Sequence, residues 1–280
     1  MLLITGATGN VGSELVKDLT AAGVTPRVLV RDASKAPAGT QGVVGDFSDP
    51  DSLKRALDGV DTAFLLAPFL PTMVDLQAAF IAAAKEAGVK HIVKLSAMGT
   101  GADAPVALLR WHASAEAVLK ESGIAWTCIQ PNGFMQNLLG MANLIKTQGI
   151  IPAPAADARI SHIDIRDIAA SIASTLTSTG HEGKTYVLSG PAAITYDEMA
   201  ADVSAAIGRA VSYVPITSEQ FVGSLTSMGM PAWMADGLDE LYAFYRTGAG
   251  SKVTADVEQL TGRPAIPFAQ FAKDFAQAFR

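Results

Sequence analysis

Short apolar runs alternate with longer amphipathic segments through the first half of the chain. The runs are rich in Val, Ile, Leu and Phe, as buried strands are, and the segments between them carry apolar residues at helical spacing, such as Val11, Leu15 and Leu19. The predicted strands cover 2–5, 27–30, 42–44, 62–66, 91–95 and 126–129, and the predicted helices cover 10–22, 51–57, 73–86 and 108–122. This alternation predicts a parallel sheet with helices on both faces.

The pattern changes after residue 130, where prolines and glycines interrupt the chain. A helix over 165–176 and a strand over 185–188 are expected to return to the sheet. The remaining segments, 196–207, 218–228, 231–245 and 267–279, read as helices. The sequence therefore predicts an α/β fold, a doubly wound parallel sheet with a small, mainly helical C-terminal lobe. We divide it at 1–130 and 131–280.

Charge and composition narrow the function classes. The 280 residues include 21 Lys and Arg against 27 Asp and Glu, a net charge of −6, which argues against a protein that binds nucleic acid. No apolar run approaches the roughly 20 residues that span a bilayer, and the N-terminus lacks the basic region of a signal peptide. The single Cys128 cannot form an intramolecular disulfide. We therefore expect a soluble, cytoplasmic protein that contacts neither nucleic acid nor membrane.

A glycine motif follows the first predicted strand and opens the first predicted helix. Gly6 allows a sharp turn, Gly9 lets the main chain approach a pyrophosphate, and Gly12 lets the helix pack closely on the sheet. The helix N-terminus then offers free N–H groups to phosphates. The motif predicts a dinucleotide site in a Rossmann-like fold, formed by Gly6, Ala7, Thr8, Gly9, Asn10, Val11 and Gly12.

The end of the second strand bears on which dinucleotide is bound. NAD sites usually carry an acidic residue there, whereas this strand ends in Arg31, which can pair with a 2′-phosphate. Lys35 adds a further positive charge, and Asp32 keeps NAD(H) open as an alternative. We favour NADP(H).

Further ligand contacts are expected where the parallel strands end, because ligands bind outside their carboxyl ends. Asp46 and Phe47 follow the third strand, where they could meet adenine. The residues expected near the ribose and nicotinamide are Leu66, Ala67 and Pro68 after the fourth strand and Ser96, Ala97 and Met98 after the fifth. His162 and Asp164 have no third ligand nearby, so we predict no metal site.

Several segments together resemble the short-chain dehydrogenase/reductase superfamily in its atypical, NmrA-like branch. Within that branch the sequence is similar to the NADPH-dependent quinone oxidoreductases of the second type and the triphenylmethane reductases. The resemblance covers essentially the whole chain. It rests on the glycine turn and on the segments at 112–116, 122–124, 130–137, 180–186 and 230–236.

The resemblance implies roles for individual residues. The glycine turn would hold the pyrophosphate and Arg31 the 2′-phosphate. The contacts near the nicotinamide would fall on Asn132, Gly133 and Phe134. The substrate pocket would begin with Phe134, Met135 and Asn137.

The Tyr-x-x-x-Lys pair used by most reductases of the superfamily is missing, since no tyrosine is followed by a lysine four residues later. The corresponding helix carries His112 and Glu116, which share one helix face. One interpretation is a catalytic His112 supported by Glu116, with Met98 and Trp111 lining the same cleft; the other is an ordinary surface pair.

Three candidate functions are compatible with these residues. The first is hydride transfer from NADPH to quinones or other electron-poor aromatic acceptors, and the second is a dinucleotide sensor without turnover. The third, epimerisation of nucleotide sugars, is weakened by the missing Tyr–Lys pair. The apolar residues of the C-terminal lobe could roof an aromatic pocket or could simply pack against one another. The partner is then a small aromatic or quinone substrate, and a homodimer is left open.

Overall fold

A parallel sheet forms the centre of the computed structural model, which describes residues 1–280. The strands, in chain order, are β1 (Leu2–Ile4), β2 (Arg27–Val30), β3 (Gln41–Val44), β4 (Thr62–Leu65), β5 (His91–Leu95), β6 (Ala125–Pro131), β7 (Ile150–Ala153), β8 (Lys184–Leu188) and β9 (Ser212–Pro215). Seven of them form the sheet in the order β3-β2-β1-β4-β5-β6-β8, with every pair parallel. The strand order reverses between β1 and β4, which places a ligand crevice at their carboxyl ends.

Helices cover both faces of this sheet. The α-helices of the chain, in order, are α1 (Asn10–Ala21), α2 (Pro50–Leu57), α3 (Met73–Glu86), α4 (Ala107–Glu121), α5 (Ala142–Gln148), α6 (Ile165–Thr177), α7 (Tyr196–Ile207), α8 (Ser218–Ser227), α9 (Ala232–Arg246), α10 (Asp256–Thr261), α11 (Phe268–Asp274) and α12 (Ala276–Phe279). Helices α1 and α6 bury apolar side chains against one face, and α2, α3 and α4 against the other. The predicted doubly wound α/β fold is confirmed.

The main differences from the sequence prediction lie in the C-terminal half. The predicted helix over 267–279 is broken at Phe275 into α11 and α12, and the short helices α5 and α10 were not predicted. A second parallel sheet of two strands, β7 and β9, was also missed. Each of these strands contains a proline, Pro152 or Pro215, which is unusual within a sheet but tolerated in a strand with a free edge.

The lobe has a core of its own, formed mainly by α7, α9, α11 and the small sheet. Helix α6 and strand β8 lie in the layers of the large sheet, as expected. Because residues after 130 thus contribute to both the large sheet and the lobe, the division at residue 130 stays a prediction. The lobe reaches the large sheet through α9. Its Phe244 packs beside Gly99, which follows β5 with a φ of +86° and lies next to Leu109.

None of the helices has both the length and the hydropathy that a membrane-spanning segment requires.

Asp164 anchors the start of α6. Its carboxylate is completely buried, caps the helix by accepting from the Arg166 N–H at 2.9 Å, and pairs with the Arg166 guanidinium at 2.7 Å. It also accepts from Gln136 Nε2 at 2.8 Å. One carboxylate therefore joins the helix to the segment that follows β6.

We expect Asp164→Ala to lower the free energy of unfolding by about 3 kcal/mol, because it removes one partner of a buried ion pair. The matched control is Asp197→Ala, which removes an exposed carboxylate from the first turn of α7 and should cost no more than about 1 kcal/mol. Urea denaturation measures both. Equal losses in the two variants would contradict the anchoring role of Asp164.

Candidate active site

The turn between β1 and α1 leaves main-chain donors free at the sheet edge. Gly6 has a φ of +66°, and Gly9 is the N-cap of α1 but supplies no capping side chain. The N–H groups of Asn10, Val11 and Gly12 make no hydrogen bond within the chain. Three free donors at the positive end of a helix dipole form an anion site.

Two of the glycines in this turn have different surroundings. A Cβ on Gly12 would stand 2.1 Å from the Gly6 carbonyl oxygen, so only glycine lets the helix approach the turn. A Cβ on Gly9 would meet nothing closer than that same oxygen, at 3.4 Å, and would project into open space. These distances support the separate tasks expected for the two residues: Gly12 permits packing and Gly9 keeps the anion site clear.

Not every residue of the turn presents its side chain to this site. Thr8 and Asn10 are exposed, whereas the side chains of Ala7 and Val11 are buried in the core beneath the sheet. Ala7 and Val11 can therefore meet a ligand only through their main chain.

Arg31 stands free at the end of β2. It is exposed and makes no hydrogen bond or ion pair, and Lys35 is equally exposed and unpaired. Asp32, by contrast, accepts hydrogen bonds from the Ser34 N–H and hydroxyl, which lower its pKa. One oxygen of Asp32 is thus committed to its own loop, while both cations are available to an anionic ligand.

Asp46 lies close enough to Arg31 for that cation to contribute to its depressed pKa, although hydrogen bonds from Ser48 contribute more. The neighbouring Phe47 does not flank an open site. It is buried, with its ring centroid 5.6 Å from that of Phe80. We therefore correct its expected contact with adenine: Phe47 is a core residue, because the loop after β3 turns it inward against α3.

The carboxyl end of β4 packs directly over the glycine turn. Thr5 Oγ1 accepts from the Leu66 N–H at 2.8 Å and donates to the Phe64 carbonyl, and the Leu66 side chain lies against Gly6. Ala67 is buried in the core, and Pro68 is exposed. Leu66 and Pro68 therefore border the crevice, and Ala67 supports it from behind.

The segment after β6 also departs from the expectation. The Asn132 side chain is buried and bonded on both sides, donating to Ser161 Oγ and the Gly250 carbonyl and accepting from the Gly133 N–H. Met135 is buried in the core of the lobe. Both are corrected to structural residues, because the loop they belong to is fixed by the lobe.

Glu116 is not a surface partner of His112. It is buried and accepts from Ser96 Oγ at 2.6 Å, Gln130 Nε2 at 2.8 Å and Lys120 Nζ at 2.8 Å. Burial alone would raise its pKa, but these three hydrogen bonds outweigh burial and lower it. Glu116 therefore remains an anion that ties α4 to β5 and β6, and Ser96 has its hydroxyl committed to it.

The partner of His112 is Lys94, which was not predicted as a site residue. Lys94 lies in β5 and is completely buried; its Nζ donates to the Leu95 carbonyl at 3.1 Å and lies 3.4 Å from His112 Nδ1. Burial lowers the pKa of His112 to about 3, and the charge of Lys94 adds to the effect. His112 is therefore neutral near pH 7. The sequence feature that could have revealed Lys94 is a charged residue inside an otherwise mainly apolar predicted strand.

Three aromatic rings cluster at the first half of α4, the helix that carries His112. Trp111 on α4, Phe69 after β4 and Trp233 on α9 lie 5.9–6.3 Å apart between ring centroids. Phe69 is an exposed large apolar side chain, and Met98, after β5, is half-buried, as is the adjoining Ala97. The lobe, helix α4 and the loop after β4 thus form a shared aromatic surface at the carboxyl edge.

A small cavity of about 30 Å³ opens on the lobe side of Phe134. Asn137, His162, Tyr196 and Tyr242 contribute to its lining, and the two tyrosine hydroxyls lie 2.6 Å apart. Burial lowers the pKa of His162 to about 4, so this ring is neutral as well. Phe134 and Asn137 therefore line a pocket, and that it receives the substrate stays a prediction.

A family model, the NmrA-like family, matches residues 1–263. The chain belongs to the NmrA-like family. Among its relatives, the "NAD(P)H azoreductase" of Xenophilus azovorans is 45% identical over 100% of this chain and 99% of the relative.

Two solved structures match this chain over nearly their whole length. An NADPH-dependent quinone oxidoreductase from Escherichia coli, complexed with NADPH, has a TM-score of 0.91 at 29% identity and covers 98% of this chain and 99% of that one. The triphenylmethane reductase of Citrobacter sp., complexed with NADP(H), has a TM-score of 0.88 at 25% identity and covers 99% and 100%.

The different roles of Gly9 and Gly12 can be distinguished by the free energy of unfolding of their variants. We expect Gly12→Ala to destabilise the fold by about 2 kcal/mol, because the new methyl group collides with the Gly6 carbonyl. Gly9→Ala should stay within about 1 kcal/mol of the parent, since its φ of −85° suits any residue. Thermal and urea unfolding report both values. A Gly12→Ala variant as stable as the parent would contradict the close approach of helix and turn.

Proposed function

We propose that this chain is an NADPH-dependent reductase of electron-poor aromatic acceptors such as quinones, azo compounds and cationic dyes. The proposal rests on one observation: the acceptor surface, the neutral histidine and the anion site lie at the same edge of the sheet. The aromatic surface of Phe69, Trp111 and Trp233 and the neutral His112 stand at the same carboxyl edge of the sheet as the free N-terminus of α1.

The residues present fit a dinucleotide with a 2′-phosphate. The free N–H groups of α1 would hold the pyrophosphate, and Arg31, with Lys35 nearby, would pair with the 2′-phosphate. The NADPH-bound relatives and the azoreductase support this cofactor. Bound NADPH supplies a hydride, and the chain's own residues position the acceptor and exclude water.

The acceptor class follows from the acid that the site can offer. His112 is neutral, so it can donate a hydrogen bond but is not a strong proton source. Reducing a simple ketone generates an alkoxide, which needs an acid, whereas quinones and cationic dyes are already electron-poor and need little or no proton during transfer. A flat aromatic acceptor also suits the rings of Trp111 and its neighbours.

A dinucleotide sensor without turnover is the alternative outcome of the experiments below. A cytoplasmic location and a homodimer stay predictions. The single Cys128 is buried, and burial raises its pKa to about 12, so it is an inert thiol suited to a reducing compartment.

We expect Arg31→Ala to remove most of a preference for NADPH over NADH. A bidentate contact between Arg and phosphate is worth roughly 1.5–3 kcal/mol, about tenfold to a hundredfold in affinity. Fluorescence titration with both cofactors measures it, and NADH affinity is the internal control because it should change little. Equal affinities for the two cofactors in the parent protein would contradict the assignment of Arg31.

We expect fast NADPH oxidation with quinones and dyes and little or none with simple aliphatic ketones. On the best quinone, His112→Ala should lower the rate by about tenfold or less, below the upper end of the range for general acids. Rapid ketone reduction that collapses in the variant would show that His112 is a true catalytic acid. Tight NADPH binding with no turnover of any acceptor would favour the sensor.

A further inference from the structure

Lys94 is a buried cation without a carboxylate partner. Its Nζ bonds only to the Leu95 carbonyl and to His112 Nδ1, and none of the ion pairs of the chain includes it. A buried lysine is costly unless it is paired, and this one stands in β5, an interior strand next to β4, close to the carboxyl edge where the crevice lies. Structural packing alone does not account for such a residue.

The geometry sets the tautomer of His112. An ammonium group can only donate a hydrogen bond, so Nδ1 of His112 must accept it, and the single ring proton of the neutral imidazole sits on Nε2. Nε2 makes no hydrogen bond within the chain and is not sealed from solvent. Lys94 therefore stands behind His112 while the opposite nitrogen presents its proton outward.

We propose that Lys94 is the proton reservoir of the site and that His112 passes its proton to the acceptor. This inference rests on the proposed reductase function. It concerns acceptors whose reduced form is a strong base, azo compounds above all. For these acceptors, a neutral His112 is a poor acid by itself. Lys94 makes it effective by supplying a proton to the ring as the ring gives one up.

The proposed step balances for an azo bond. Hydride adds to one nitrogen, and the π electron pair moves to the other, which becomes an anion. That anion takes the proton from Nε2 of His112, while Nδ1 takes a proton from Nζ of Lys94. The products are a hydrazo compound, the other neutral tautomer of His112 and a neutral Lys94. Because Lys94 is buried, its proton returns through the ring: Nε2 of His112 takes a proton from solvent, and Nδ1 passes its own proton back to Nζ.

The surroundings of Lys94 suit this role. Burial lowers its pKa to about 8, Glu116 and Cys128 oppose that change, and Lys120 reinforces it; His112 is the remaining titratable neighbour in contact. The group is thus charged near pH 7 yet able to lose its proton. The rate with an azo acceptor should fall as the pH rises above about 8.

The acceptors themselves provide an internal control. A cationic triphenylmethane dye becomes neutral when hydride adds to its central carbon, so it needs no proton. We expect Lys94→Met to lower turnover of methyl red about a hundredfold, within the usual contribution of a general acid, and to leave malachite green within about twofold. The loss of rate above pH 8 should disappear with Lys94. Equal effects on both dyes would overturn the relay.

A second variant separates proton supply from positioning. Lys94→Gln keeps a donor that can bond to Nδ1 but has no proton to deliver, so it should be as slow as Lys94→Met on methyl red. Parent-like rates in Lys94→Gln would show that Lys94 only orients the ring. Lys120→Met is the matched control, because it removes the other lysine near Glu116, and it should keep the alkaline loss of rate.

A spectroscopic readout does not depend on turnover. The chain has four histidines, so the ¹⁵N resonances of His112 can be assigned by its removal. The parent protein should show the tautomer protonated at Nε2, and Lys94→Met should shift the ring towards a mixture. An unchanged tautomer would overturn the pairing, whereas a parent protein that reduces neither dye would overturn the proposed function instead.

Discussion

The close approach of β1 and α1 determines the rest of the site. Gly12 lets the helix start against the turn, and a single added methyl group would meet the Gly6 carbonyl at 2.1 Å. Because the helix begins there without a capping side chain, its first N–H groups stay free. The crevice where the strand order reverses is therefore an anion site, because these free N–H groups face it.

The second half of the site depends on buried polar contacts that hold α4 over the sheet. Glu116 links Ser96 and Gln130, and Lys94 contacts His112, so the helix face that borders the crevice is fixed by charge as well as packing. Helix α9 then brings Trp233 to Trp111. Lys94 and His112 therefore come from β5 and α4, whereas part of the acceptor surface comes from the lobe. The two meet at the carboxyl edge of the large sheet.

The sequence was sufficient for features with local causes. The strands of the large sheet and the glycine turn followed from periodicity and spacing. What escaped prediction was non-local. The i, i+4 rule suggested that Glu116 pairs with His112, but its i, i+4 partner is Lys120 on the other side. Its remaining partners, Ser96 after β5 and Gln130 in β6, are brought to it only by the fold. Phe47 and Asn132 looked like ligand contacts because only the folded loops show that they turn inward.

The most direct test of the account is a crystal structure with NADPH bound. It should show the pyrophosphate on the N–H groups of Asn10 to Gly12, the 2′-phosphate on Arg31, and the nicotinamide ring at the carboxyl ends of β4 and β5 on the side of His112 Nε2. A nicotinamide lying away from His112, or a 2′-phosphate with no contact to Arg31, would contradict the central claim that this edge of the sheet is a reductase site.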